Sequence, residues 1–94
     1  MLSKIPVDIK SISEGDIDKE ILRAAIVAEL DAVNLYEQMA NLTKDENIKA
    51  VLMDVAKEEK THIGEFQALL LQFDPQQKKE LEAGAKEAEE VSSK

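Results

Sequence analysis

Ninety-four residues, 44% of them hydrophobic and 34% charged, allow one small domain and are too apolar for wholesale disorder. A formal charge of −8 argues against nucleic acid as the main partner, because phosphate binding needs a basic surface. The absence of cysteine excludes disulfides, thiolate zinc sites and cysteine-ligated iron–sulfur clusters, and leaves oxygen and nitrogen as the only strong metal donors.

Aromatic content of 3%, with three glycines and two prolines, speaks against a β-sandwich or barrel, and the abundance of Ala, Leu, Glu and Lys favours long helices. Residues 1–13 alternate polar and apolar and are broken by Pro6, which predicts an extended arm. Ser13-Glu14-Gly15-Asp16 is a helix-start signal, and a helical period runs from there to about Leu42, giving helix 1 over 14–42. Thr43-Lys44-Asp45-Glu46 reads as a capping box opening helix 2 over 44–73. So short a connection makes the two an antiparallel hairpin, each helix roughly 40 Å long. Asp74 before Pro75 predicts a third, weakly apolar helix over 75–90 carrying Leu81, Ala85 and Ala88, followed by a tail over 91–94. No apolar run approaches the roughly 20 residues that span a bilayer, and Met1–Lys10 does not resemble a signal peptide, so the expectation is a cytoplasmic chain without membrane contact.

Helix 2 carries a seam at alternating steps of four and three: Ile48, Leu52, Val55, Glu59, His62, Phe66, Leu69, Phe73. Its only polar members form a Glu-x-x-His pair, one turn apart on one face. Helix 1 carries a matching seam, Leu22, Ile26, Glu29, Val33, Tyr36, Ala40, with one carboxylate at its centre. Charged groups on a buried stripe cost several kcal/mol unless paired or metal-bound. Glu29 lies about 14 residues before the expected turn near 42–44 and Glu59 about 16 after it, so both sit at nearly one level. One Glu plus Glu-x-x-His is half of the donor set of a di-metal carboxylate bundle, and half a set implies a second chain. Apolar residues on the outward faces (Ile21, Ala25, Ala28, Leu35 and Met39; Val51, Ile63 and Leu70) independently favour pairing of two hairpins into a four-helix bundle. Two hairpins would bring four carboxylates and two imidazoles, whose charge two ferrous ions would balance. Mixed oxygen and imidazole ligation suits iron or manganese, with zinc a third candidate.

Blander readings stand beside this one. A lone Glu-x-x-His is usually a surface pair, and a lone seam Glu often snorkels to water. Tyr36 is equally well a core tyrosine or a group that bonds a ligand or supplies an electron. Glu58 and Glu65, like Asp31 and Glu37, are better read as a solvated acidic face than as iron-gathering groups. Met39 and Met53 are simplest as filler.

The stretches Ala28-Glu29-Leu30-Asp31-Ala32-Val33-Asn34-Leu35-Tyr36-Glu37-Gln38 and Asp54-Val55-Ala56-Lys57-Glu58-Glu59-Lys60-Thr61-His62 resemble the encapsulated ferritins, over about residues 16–91. The same segments are similar to the ferritin-like domain at the N-terminus of some archaeal encapsulin shell proteins. The resemblance implies an all-α fold: a two-helix subunit with a short third helix, completing a ferritin-like four-helix bundle only on dimerisation. It implies a ferroxidase that oxidises Fe(II) at a di-iron site shared by two chains, for iron storage or detoxification inside an encapsulin nanocompartment. By that likeness the ligands are Glu29, Glu59 (bridging) and His62, with Tyr36 behind them, and the assembly is a homodecameric ring that leaves the mineral to the shell. The tail after Glu90 has only Val91 and then Ser-Ser-Lys where separate family chains carry an apolar targeting peptide, so the expectation is a piece of a longer protein or another route to the shell.

Two other functions compete with this one. A non-catalytic helical-hairpin assembly module would use the seams only for packing. A peroxide-reducing di-iron enzyme like the rubrerythrins would use the same site, though those usually add an iron–cysteine centre, and cysteine is absent here.

Overall fold

A computed structural model describes residues 16–92, and the arm and the first cap signal expected before Asp16 lie outside them. Three helices follow in order: α1 over Ile17–Leu42, α2 over Glu46–Phe73 and α3 over Pro75–Ser92. Among the described residues the protein is all-α, with no strand. None of these helices is long and apolar enough to cross a membrane.

The α1–α2 turn is built differently from a Thr43 capping box. Thr43 closes α1, donating its backbone N–H to Met39 O at 3.1 Å. Asp45 is the cap of α2, its Oδ1 accepting from the N–H groups of Asn47 and Ile48, both at 2.9 Å. A carboxylate that meets two orphan donors at once outcompetes a threonine hydroxyl, which instead accepts from Asp45 N at 3.1 Å. Helix α2 therefore starts two residues later than the sequence pattern implied.

The hairpin packs through small side chains. Ala24, Ala32 and Ala40 of α1 and Ala56 of α2 are buried, joined by Val33 and Leu70, and among the described residues no large side chain is fully enclosed. Alanines at the contact let the two backbones approach closely, at the cost of a thin core. Leu70, expected on an outward face, is buried at 5% exposure. The seam positions Ile48, Leu69 and Phe73 are instead exposed. One physical reason covers both corrections: a helix turns 100° per residue, so a strict four–three seam drifts off the contact near the ends of a long straight helix.

The joint between α2 and α3 is a single residue. Asp74 ends α2 by donating its N–H to Leu70 O at 2.9 Å. Its Oδ1 accepts from Gln77 N at 3.1 Å, capping α3. Its Oδ2 accepts from Arg23 Nη2 at 2.8 Å, tying the joint to α1. The Gln77 N–H and the Arg23 guanidinium hold the Asp74 carboxyl below the usual aspartate range, against the opposing effect of burial. Helix α3 runs to Ser92, two residues beyond the expected end.

Two outcomes follow for stability. Asp45→Ala should cost about 1 kcal/mol, the usual value of an N-cap, read by urea melts. Asp74→Ala should lower the thermal midpoint and the helix signal. Because the folded pKa of Asp74 is depressed, its contribution is fully present above the ordinary value of 3.8. The gap between wild type and variant should therefore close only as pH falls below that value, seen by circular dichroism across a pH series.

Candidate metal centre

Glu29 sits near the middle of α1 and Glu59 and His62 near the middle of α2. Each is flanked by an alanine that lets the helices touch: Ala32 is one turn after Glu29, and Ala56 one turn before Glu59. Close backbones bring two short acidic side chains to one point. One donor atom from each of Glu29, Glu59 and His62 lies within 4.8 Å of the others. His62 Nδ1 is 3.5 Å from Glu29 Oε2 and 3.6 Å from Glu59 Oε2.

Those distances exceed an ordinary hydrogen bond, so the imidazole does not satisfy either carboxylate. Glu29 Oε2 is buried and has no hydrogen-bond partner. A buried carboxylate oxygen left without a donor costs free energy unless a cation or proton donor arrives from outside the chain. Oxygen, oxygen and imidazole nitrogen within reach of one point form a donor set that fits a divalent transition ion, iron and manganese foremost. The residues present therefore fit a metal.

The site opens on one side. His62 keeps 45% of its side chain exposed, against 21% for Glu29 and 18% for Glu59. Half-buried Leu52, Val55 and Phe66 extend the same half-covered face of α2 above and below it.

Other residues singled out from the sequence fall elsewhere. Tyr36 is half-buried on α1, two turns after Glu29, and is not among the three converging groups. Glu58 and Glu65 are exposed on α2, Asp31 is half-buried on α1, and Met39 and Met53 are half-buried and exposed respectively. Glu37 is not merely solvated: Lys60 Nζ donates to its Oε2 at 3.2 Å, pinning α1 to α2 beside the site. Nothing in the sequence marked Lys60, because a bridge between residues 23 positions apart carries no periodic signal.

Comparison with known proteins follows the same line. The rubrerythrin family model matches residues 20–93. A ferritin-like-encapsulin shell fusion protein of Pyrococcus furiosus is 60% identical over 73 residues, covering 78% of this chain and 21% of that protein. The encapsulin nanocompartment cargo protein EncC of Myxococcus xanthus is 44% identical over 69 residues, covering 73% of this chain and 50% of its own length. The chain thus spans about a fifth and about half of these two curated relatives. The crystal structure of an encapsulated ferritin domain from Pyrococcus furiosus superposes with a TM-score of 0.85 at 47% identity, covering 97% of this chain and 98% of that one. The chain belongs to the rubrerythrin family and, within it, to the encapsulated ferritins.

Proposed function

We propose that this protein is a ferroxidase: it oxidises Fe(II) to Fe(III) at a di-iron site completed by a second copy, and serves iron storage or detoxification inside an encapsulin shell. One observation carries the reading: Glu29, Glu59 and His62 converge within 4.8 Å on a face left half open. A bundle that provides every ligand from one chain has no need of an open face. This hairpin holds half of the usual donors, and a two-fold partner would supply the other half.

Each residue has a defined task. Glu29 and Glu59 present carboxylate oxygens from two helices and lower the charge of bound cations. His62 presents Nδ1 towards both, and must be neutral to act as a donor. Lys60–Glu37 and the alanine contacts keep α1 and α2 in register, so the donors stay preorganised. Tyr36 stands on the same stripe, where its hydroxyl would bond a ligand carboxylate. Two ferrous ions held side by side each supply one electron to a shared oxidant.

The relatives support the setting. One is named a shell fusion and the other a nanocompartment cargo protein, so we place this chain with an encapsulin shell, in a homo-oligomer built from dimers and closing as a decameric ring. The rubrerythrin match also favours a second reading of the same site, with peroxide as the oxidant.

Two outcomes test the site. Saturating Mn(II), used as a redox-quiet probe, should stabilise the wild type by about 2.7 kcal/mol at a hundredfold excess over Kd, and should leave Glu59→Ala unmoved in the same thermal melts. Stopped-flow absorbance under air should show rapid Fe(II) oxidation that Glu59→Ala and His62→Ala abolish. Unchanged rates in both variants would sink the proposal, and a rate that responds to H₂O₂ but not to O₂ would select the second reading.

A further inference from the structure

The donor trio is divided between two helices, so its geometry depends on how α1 sits along α2. Glu29 stands 13 residues before the end of α1 at Leu42, and Glu59 stands 13 residues after the start of α2 at Glu46. At about 1.5 Å of rise per residue, that places the two carboxylates level. The contact between the helices is made largely of alanine methyls, at Ala32, Ala40 and Ala56. So smooth a surface has few ridges to lock one helix against sliding along the other. The three-residue turn restricts the slide without removing it. A functional donor set has to hold within about 0.5 Å, so a small slide matters. The trio itself favours displacement: Glu29 and Glu59 are two carboxylates brought together, and Glu29 Oε2 is buried without a hydrogen-bond partner.

One tie resists this slide by its direction. Lys60 Nζ donates to Glu37 Oε2 at 3.2 Å. Glu37 is 5 residues from the end of α1 and Lys60 is 14 from the start of α2, so the pair spans about 13 Å of axial rise. Side chains lean towards the N-terminus of their own helix. In an antiparallel pair that tilts Glu37 away from the turn and Lys60 towards it, and the two reach each other across the gap. A bridge at right angles to the helices barely changes length when they slide. An oblique one lengthens or shortens in proportion, so it opposes the motion. Lys60 and His62 are two residues apart, about 200° around α2, so the bridge occupies the flank opposite the imidazole. It acts on the trio without standing in it.

We infer, on the metal reading of Glu29, Glu59 and His62, that Lys60 is a positioning residue: its oblique bridge to Glu37 fixes the axial register at which the trio accepts a divalent cation. The energy asked of it is small. An exposed pair adds little to unfolding stability, but here it has only to favour one register among near neighbours. Charge alone makes the opposite demand. Lys60 follows Glu59 directly in the chain, and a positive group near a cation site opposes binding. Removing a repelling charge tightens binding, whereas removing a strut loosens it. The sign of the effect separates the two roles.

The test joins Mn(II) titration with a distance measurement that needs no metal. The chain has no cysteine, so Gln38→Cys and Thr61→Cys, both at exposed positions, place one spin label on each helix. Pulsed dipolar spectroscopy of labelled chains diluted in unlabelled protein reads the interval within one chain. Lys60→Met and Glu37→Gln should each weaken Mn(II) binding about fivefold, the factor one exposed pair can supply. Both should broaden the distance distribution of the metal-free protein while keeping its helix content. Glu37→Lys combined with Lys60→Glu, which reverses the bridge at unchanged net charge, should restore affinity and distribution together. Unchanged or tighter Mn(II) binding in Lys60→Met would overturn the inference, and so would a distance distribution that this variant leaves unmoved. A reversed pair that fails to restore either property would do the same. If the wild type binds no Mn(II), the metal reading is at fault, and the distances alone decide whether the bridge sets the register.

Discussion

The structure depends on how closely α1 lies on α2. Two glutamates on neighbouring helices meet most readily where small side chains at the contact let the helices approach. Ala32, Ala40 and Ala56 allow that approach. Replacing any of them by a leucine would overpack a thin contact and push the carboxylates apart, even though none of these alanines carries a donor atom. Chemistry and packing are therefore the same constraint on this chain.

The close approach has an energetic side. Burying little beyond alanine gives the isolated hairpin a modest hydrophobic gain, at about 25 cal/mol per Å² of apolar surface removed from water. Glu29 then places a carboxylate oxygen inside the contact without a hydrogen-bond donor. Against these stand the Asp45 cap, the Asp74 joint and the Lys60–Glu37 bridge. An exposed bridge contributes little by itself. Under the proposed function, a second copy laid over the half-open face would add apolar burial, and a cation between the carboxylates would remove the electrostatic cost.

Much of this was legible in the residues. Charged side chains placed on an apolar stripe are conspicuous, and equal distance from a short turn brought Glu29 level with Glu59 before any coordinates. The helix pair and the third helix followed from caps and period. What stayed hidden depends on three dimensions. Leu70 is covered because the stripe drifts around a straight helix, which a fixed seam ignores. Asp45 took the cap from Thr43 through a contest between two oxygens that only geometry decides. Arg23–Asp74 and Lys60–Glu37 join residues 51 and 23 positions apart, and surface charges offer too many equivalent pairings for a pattern to choose among them.

The three-residue connection from Thr43 to Asp45 has a bearing on time as well as shape. Contacts of the hairpin begin beside the turn and grow outward in sequence separation, so each turn of helix closes only a slightly larger loop than the last. Chains dominated by such local contacts fold within microseconds to milliseconds. Meeting another chain is bimolecular, and at low concentration it is far slower. Under the proposed function, Glu29, Glu59 and His62 would come together within one chain before any encounter with a second. Assembly would then join two surfaces already shaped, and the concentration of newly made protein would set how soon complete centres exist.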